Sequence, residues 1–248
     1  MLKLTTLTCD ALRALSMLLF LSLFDEAASV MAQNLRVVYD GRIERSITKP
    51  SHAEVQLIRR YALPKARRFW RSDDACREGF EVVDAASGSF TKPNAAQRAI
   101  LYRFCIRGHN IANNGIVIIE GGSIVAHIVY DGGEDYSIGA LEDINGNGLS
   151  EIIIGDGSTN QGYTVNVALL IEISPPGVRK FGIADVYEDN CGAVEQCETN
   201  AYKISVKPGP TPIFYREAFR QRNERWTRAG NAARYRLRPN ESSYNLLD

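Results

Sequence analysis

The stretch that decides the fold is Tyr136–Gly155, YSIGALEDINGNGLSEIIIG, in which a polar loop separates two hydrophobic segments. The first segment contains Ile138 and Leu141, and the second is Ile152–Gly155. Short apolar runs on either side of a loop rich in Asp, Asn and Gly are typical of β-strands. We therefore predict two neighbouring strands joined by this loop.

The loop itself, residues 143–151, carries a pattern of metal ligands. Oxygen-bearing side chains occupy its first, third, fifth and ninth positions, and glycine its sixth. A hard cation such as Ca²⁺ takes about six to eight oxygen ligands, which a tight loop supplies from alternate residues. Gly148 allows the sharp backbone reversal that turns the Leu149 carbonyl inward. The loop predicts a Ca²⁺ site; the alternative is an Asx-rich turn whose side chains bond their own backbone.

The same stretch resembles the FG-GAP repeat of integrin α-chain propellers and of related repeats in bacterial surface proteins. The shared pattern is a strand that begins with an aromatic residue, a D-x-D/N-x-D/N-G-x-x-D/E loop, and a hydrophobic strand that ends in glycine. Only two formal charges face the ion, because amides stand where the family often has aspartate, and we expect a weak affinity of about 10⁻⁴ to 10⁻³ M. The resemblance implies side-chain oxygens and one main-chain carbonyl as ligands, from Asp143, Asn145, Asn147, Glu151 and Leu149.

The amino-acid composition excludes few classes of function, but it disfavours a nucleic-acid partner. The 248 residues include 29 Lys and Arg against 29 Asp and Glu, and 45% of them are hydrophobic. Those values are ordinary for a globular protein. Without a net positive charge there is no overall field to attract nucleic acid, so we expect a protein or glycan partner.

The N-terminus has the features of a signal peptide. Lys3 and Arg13 precede an apolar run, residues 14–24, which is too short to span a bilayer as a helix. Val30-Met31-Ala32 before Gln33 resembles a signal-peptidase site. We predict that residues 1–32 are removed near Ala32 and that the mature chain is secreted or periplasmic. We expect no transmembrane segment in the mature chain, because no later stretch is long and apolar enough.

Cysteine usage agrees with export. Cys9 lies in the leader, and four cysteines remain, an even number that suggests two disulfides. Three connectivities are possible, and we favour the two local pairs, Cys76–Cys105 and Cys191–Cys197.

Alternating hydrophobicity predicts a mainly β fold after residue 73. Residues 165–173 and 202–206 alternate cleanly, and Gly121-Gly122 between two apolar runs is a hairpin signal. His127 lies inside one of these runs, and we expect it to be packed with one hydrogen bond. Residues 155–163 are predicted to form a long polar loop.

Before the β-rich part, Ser51 and Glu54 form a capping box that starts a short helix, which Pro64 should stop or kink.

These elements predict an antiparallel meander, either a propeller-blade-like sheet or a sandwich, with a short N-terminal helical segment. A closed propeller is not expected, because about four blades are needed and the loop motif occurs once. After the signal peptide we divide the chain into an N-terminal arm with the helix (33–72), a β-rich domain that contains the calcium loop (73–240), and a C-terminal tail (241–248).

Function is less determined than fold. The main hypothesis is a secreted, disulfide-containing, calcium-binding module of surface or interaction type, without catalysis. Acids crowd the region around the loop, and a pair of them could act as general acid and base. The alternative is therefore a periplasmic or extracellular hydrolase directed at glycans; the acids concerned are Asp131, Glu134, Asp135, Glu142 and Asp156.

Overall fold

The structure is a computed structural model that describes residues 35–70, 79–106, 111–174 and 177–247. The chain divides into two compact units, Met1–Arg36 and Val37–Asp248, and nearly all described residues belong to the second. The predicted signal peptide and its cleavage site at Ala32 lie outside the described residues, as does Cys76.

The described residues form two antiparallel β-sheets, so the predicted mainly β fold is confirmed. The larger sheet has nine strands, and from Ser137–Leu141 to Arg225–Arg228 each strand pairs with the next one along the chain, which is the predicted meander. This sheet curls into a half-barrel. Its strands are β1 (Arg36–Asp40), β6 (Ser137–Leu141), β7 (Glu151–Asn160), β8 (Tyr163–Ser174), β9 (Gly177–Asp189), β10 (Thr199–Lys207), β11 (Ile213–Arg222), β12 (Arg225–Arg228) and β13 (Ala233–Tyr235).

The smaller sheet has five strands, in the order β14 (Tyr244–Leu246), β5 (Ser123–Gly132), β4 (Ala112–Glu120), β3 (Gln97–Ile106) and β2 (Glu81–Gly88). Its last strand comes from the C-terminal tail and pairs with β5 through Tyr244 and Tyr130. Gly121 and Gly122 join β4 to β5 with φ angles of 56° and 81°, which confirms the predicted hairpin.

The two sheets share one hydrophobic core. Ile116 and Ile128 of the smaller sheet pack with Ile152, Ile154 and Ile171 of the larger one, and all are fully buried. The arrangement is therefore that of packed sheets rather than one isolated blade. Because the other face of the smaller sheet is also covered, β4 is buried along nearly its whole length.

A helical segment, residues 52–69, covers that other face. It consists of α1 (His52–Leu57), a π-helical turn (Ile58–Ala62) and α2 (Leu63–Phe69). The predicted capping box is present, with the Ser51 backbone N–H donating to Glu54 Oε2 at 2.7 Å. Pro64 does not end the helix, because it falls in the first turn of α2, where its missing N–H is not needed.

The prediction of a long loop at residues 155–163 is wrong. Strand β7 continues to Asn160, and a two-residue turn at Gln161 and Gly162 leads into β8. The glycines that suggested a loop instead make room: a Cβ at Gly157 would overlap the Asn166 amide. Glycine in this strand reflects close packing of neighbours rather than a turn.

One predicted disulfide pair is within bonding distance. The Sγ atoms of Cys191 and Cys197 are 2.10 Å apart. For the other predicted pair, Cys105 is buried in β3 at 1% exposure, and Cys76 is outside the described residues. Among the described helices, none has the length and apolar composition needed to cross a bilayer.

Candidate calcium-binding loop

The candidate loop is held between two well-buried strands. Strands β6 and β7 pair from Ser137–Gly155 to Leu141–Glu151, which leaves residues 142–150 as the connection. Ile144 inside the connection is fully buried and packs in the core of the larger sheet. The strand–loop–strand arrangement predicted from the sequence is confirmed, and the loop is anchored at both ends and in its middle.

Asp143 organises the backbone of the loop. Its Oδ1 accepts hydrogen bonds from the N–H groups of Gly146 at 2.6 Å and Asn147 at 3.0 Å. Its Oδ2 accepts from the Gly148 N–H at 2.7 Å. Both glycines have positive φ, 82° at Gly146 and 84° at Gly148, so the predicted sharp reversal at Gly148 is present.

Asn145 and Asn147 bond to the backbone through their oxygens and to one acid through their nitrogens. Asn145 Oδ1 accepts from the Asn147 N–H at 3.1 Å, and Asn147 Oδ1 accepts from the Leu149 N–H at 2.9 Å. Their Nδ2 groups donate to Glu172 Oε2 at 2.5 Å and 2.9 Å. Glu172 therefore belongs to the site although it lies in β8.

Glu151 is the most buried carboxylate of the loop. It is 0% exposed, and the Ile144 N–H lies 3.2 Å and 3.1 Å from its two oxygens. Burial raises the pKa of Glu151 to about 7, and the charges of Glu172 and Asp143 add to the rise. A buried carboxyl near other acids resists ionisation unless a cation compensates it.

No protein cation compensates these two acids within the described residues. Glu172 is 2% exposed, and no Lys or Arg side chain described here forms an ion pair with it or with Glu151. The described residues also contain no group of three or more His, Cys, Asp or Glu that could hold a metal. With the ligand set implied by the resemblance, an ion in this loop would depend on the carboxylates of Asp143 and Glu151 together with neutral amide and carbonyl oxygens.

The ligand atoms predicted from the sequence are of the chemical type that Ca²⁺ prefers. Every side-chain donor proposed from the sequence is an oxygen, which suits a hard cation. A carboxylate or amide oxygen has two lone pairs, and each bond to an N–H uses one. Asp143 Oδ1 accepts two such bonds, whereas Asp143 Oδ2 and the side-chain oxygens of Asn145 and Asn147 accept one each in the hydrogen bonds described above and keep a lone pair. The same hydrogen bonds are also those of the Asx-rich turn, so both readings of the loop agree with its backbone.

Sequence reasoning missed Glu172. The alternation of residues 165–173 gave Glu172 no partner, but in the structure it accepts hydrogen bonds from Asn145 and Asn147 of the candidate loop. The only sequence signal was an acid inside an otherwise apolar run, which does not reveal the partner.

The other acids near the loop differ in their exposure to solvent. Asp131 and Glu142 are exposed, whereas Asp135 is 1% exposed and accepts a hydrogen bond from the Tyr130 hydroxyl. Burial raises the pKa of Asp135 well above its usual range, and the charge of Asp156 adds to the rise. Burial also raises the pKa of Asp156, which lines a cavity of about 250 Å³.

Comparisons of the chain with protein-family models, with curated proteins and with solved structures found no match.

Proposed function

We propose that this chain is a secreted or periplasmic β-module stabilised by one Ca²⁺, acting as a surface or interaction domain with a protein or glycan partner. The ligands are the oxygens of Asp143, Asn145, Asn147 and Glu151 and the Leu149 carbonyl, as the FG-GAP resemblance implies. The ion would neutralise the two carboxylates and fix the turn between β6 and β7.

The observation that carries this proposal is the burial of Glu151 and Glu172 without a compensating Lys or Arg among the described residues. An isolated buried carboxylate is costly, and proteins pair it, protonate it or bind a metal with it. Glu151 is the last residue of the loop and Glu172 accepts hydrogen bonds from Asn145 and Asn147, and the loop supplies further oxygens of the kind that Ca²⁺ prefers.

Export is supported by two features. The sequence of residues 1–32 has the pattern of a signal peptide, and Cys191 and Cys197 are within disulfide distance. Disulfides persist mainly in oxidising compartments such as the periplasm and the extracellular space.

The test is the melting temperature of the mature chain in millimolar Ca²⁺ and in chelator. We expect Ca²⁺ to raise the wild-type melting temperature, because an ion that binds only the folded state stabilises it. Asp143→Ala should abolish that difference. Glu142→Gln is the matched control, since it removes an exposed charge of the same loop and should keep the difference. A calcium effect that persists unchanged in Asp143→Ala would remove the site assignment.

A glycan-directed hydrolase is the second candidate, and one observation favours it. Glu134 lines an open cleft of about 910 Å³, and Asp156 lines a cavity whose wall shares Gly157 and Ser158 with that cleft. Tyr136 and Trp226 add aromatic surface to the cleft. The raised pKa of Asp156 would suit a general acid.

The hydrolase is tested by release of reducing sugar from a panel of soluble polysaccharides. An enzyme of this kind should lose its rate in Glu134→Gln and Asp156→Asn and keep it in Asp131→Asn, which changes an exposed acid outside both cavities. Wild-type protein without turnover on the panel would leave the binding module as the better description.

A further inference from the structure

The open cleft of about 910 Å³ is bordered by the segment that follows β1 and by one face of the larger sheet. Strands β7, β8 and β9 supply Gly157, Asn166 and Tyr187 to its lining. These three residues are directly paired across adjacent strands, so their positions lie in one row on the same face. The described lining includes no residue of the candidate calcium loop. The volume is within the range of about 300–1,000 Å³ that is typical of ligand sites.

Aromatic rings form part of the cleft lining. Trp226 and Tyr187 both line it, and their rings meet edge to face with centroids 6.5 Å apart. Both side chains are partly exposed, so ring surface is open to the cleft. An aromatic ring offers apolar surface on which the C–H groups of a sugar ring can pack, while the hydroxyl groups of the sugar still need hydrogen bonds.

An amide side chain lies beside each of these two rings. Gln221 pairs with Trp226 across β11 and β12, and Asn166 pairs with Tyr187 across β8 and β9, so each amide and its ring share a face of the sheet. Both amides line the cleft, and neither forms a side-chain hydrogen bond within the described residues. Both residues are partly exposed, and their polar atoms are open to solvent. An amide can donate and accept hydrogen bonds, so the cleft offers both kinds of group next to each ring.

The charged residues of the lining do not favour a ligand of either sign. They are two arginines and two glutamates, namely Arg42, Arg45, Glu44 and Glu134. Arg42 is paired with Asp40, whereas Arg45 and Glu134 form no ion pair within the described residues. A guanidinium only donates hydrogen bonds and a carboxylate only accepts them. A hydroxyl group does both, so a ligand rich in hydroxyl groups can bond to either side chain.

We propose that this cleft binds a neutral oligosaccharide, with sugar rings packed on Trp226 and Tyr187 and hydroxyl groups bonded to the amides beside them. A glycan that carries carboxylates would meet Glu134, and a cationic glycan would meet Arg45, so a neutral chain fits the lining better. The inference rests on the part of the proposed function that names a glycan partner, and it does not depend on the Ca²⁺ site.

The surface favours a glycan over an extended peptide. Peptides of that kind commonly add a strand to the open edge of a sheet, where main-chain groups are unpaired. The floor of the cleft is instead a sheet face, and its strands β7, β8 and β9 are already paired with one another. Recognition there depends on side chains, which are the rings and amides described above.

The probes are the neutral hexasaccharides cellohexaose, chitohexaose, mannohexaose and xylohexaose, titrated calorimetrically into the mature chain. The hexamers of galacturonate and of glucosamine are the anionic and cationic counterparts. We expect at least one neutral hexamer to bind at one site per chain, and both charged hexamers to bind at least about tenfold more weakly, because each meets a like charge in the lining.

Substitutions in β12 locate the site. Trp226→Ala removes a ring that packs on the sugar and should weaken binding of the neutral hexamer at least about tenfold, whereas Trp226→Phe should keep most of the affinity. Arg225→Ala is the matched control. Arg225 is exposed, lies on the opposite face of the same strand and does not line the cleft, so the affinity should not change.

Fluorescence keeps the proposal testable if Trp226→Ala does not fold. Trp70→Phe leaves Trp226 as the only tryptophan, and its emission should move to shorter wavelength at saturating hexamer, because the sugar displaces water from the indole. Trp226→Phe leaves Trp70, which does not line the cleft, and its emission should stay unchanged.

Three results would overturn the proposal. The first is that no neutral hexamer binds, and the second is that a hexamer binds without changing the emission of Trp226. The third is a dimer in sedimentation that Trp226→Ala dissociates, because the cleft would then be an interface between copies of the chain. Failure here is distinguishable from failure of the Ca²⁺ assignment: hexamer binding without a calcium effect on melting would remove only the ion, and a calcium effect without hexamer binding would remove only the glycan.

Discussion

Glu151 connects the chemistry of the loop to the stability of the fold. Its pKa is raised by burial from 4.5 to about 7. Between those values the folded state retains a proton that the unfolded state has released, so folding is favoured at lower pH. The stability that Glu151 contributes is therefore complete below about pH 4.5 and is lost as the pH rises through about 7.

This linkage predicts the pH dependence of unfolding in chelator. The wild type should lose stability between about pH 5 and 7.5, and one unit of pKa difference corresponds to about 1.4 kcal/mol. Glu151→Gln should flatten the slope, because glutamine has no proton to lose. The raised pKa values of Asp135 and Asp156 act in the same direction, so the informative quantity is the difference between the wild type and the variant.

The measurement is urea unfolding across that pH range, repeated in millimolar Ca²⁺. A bound ion favours the carboxylate form, so Ca²⁺ should reduce the wild-type slope and leave the Glu151→Gln slope unchanged. Glu142→Gln is the control for loss of a charge at an exposed position. Parallel wild-type and Glu151→Gln profiles in chelator would show that Glu151 does not titrate in this range.

Glu172 shows what the sequence leaves undetermined at this scale. The sequence predicts the side chains of one group of residues as metal ligands, because their spacing within a single loop can be read locally. These residues are Asp143, Asn145, Asn147 and Glu151. Glu172 follows them by more than twenty residues and reaches the loop only because β7 and β8 pair in register. Contacts of that kind depend on sheet pairing, which the alternation of side chains does not specify.

The two glycines of the candidate loop allow its backbone conformation to be tested. Gly146 and Gly148 have nearly the same positive φ, but their surroundings differ. A Cβ at Gly146 would meet nothing within 4 Å, whereas one at Gly148 would lie 3.0 Å from Pro93 Cβ. Backbone strain is thus common to both positions, and crowding is specific to Gly148.

We predict that Gly146→Ala destabilises the chain by about 1 kcal/mol, the usual cost of alanine in a left-handed conformation. Gly148→Ala should cost about 1 kcal/mol more, because Pro93 must also move. The measurement is urea unfolding in chelator, which removes any effect of the ion. Equal costs would mean that the Pro93 contact relaxes freely.

Strands were predicted correctly where the sequence pattern is local. The prediction failed where packing against adjoining strands determines which residue type is present. The alternation at residues 165–173 and the Gly121–Gly122 hairpin were read directly from the sequence. Residues 155–160 form a strand in spite of their glycines, because those glycines accommodate side chains of the adjoining strands. The glycine content of this stretch therefore suggested a loop, although the glycines are present because packing between strands requires small residues there.

At the scale of the whole molecule, one hydrophobic core joins the two sheets. Ile116 and Ile128 on one side and Ile152 and Ile154 on the other are fully buried against it. Alternation in the sequence predicted which side chains face inward, but not that the strands divide between a nine-stranded and a five-stranded sheet. That division results from pairings between distant segments, such as the C-terminal β14 with β5.

A shared core predicts that the two sheets unfold together. The chain has two tryptophans, and each reports on one sheet: Trp70 packs against the core between the helical segment and the smaller sheet, and Trp226 lies in β12 of the larger sheet. Trp226→Phe leaves the first reporter, and Trp70→Phe leaves the second. In each variant the fluorescence midpoint in urea should coincide with the midpoint of the far-ultraviolet circular dichroism, which follows both sheets.

Comparison within each variant removes the effect of the substitution on stability, because both signals come from the same protein. Removing the apolar contacts between the sheets would expose fully buried isoleucines on both, at a cost of about 1.5–3 kcal/mol each, so neither sheet should persist without the other. If the Trp226→Phe variant lost its fluorescence signal at lower urea than its circular dichroism, the smaller sheet would be unfolding on its own. The shared core would then be too weak to make the unit formed by Val37–Asp248 cooperative.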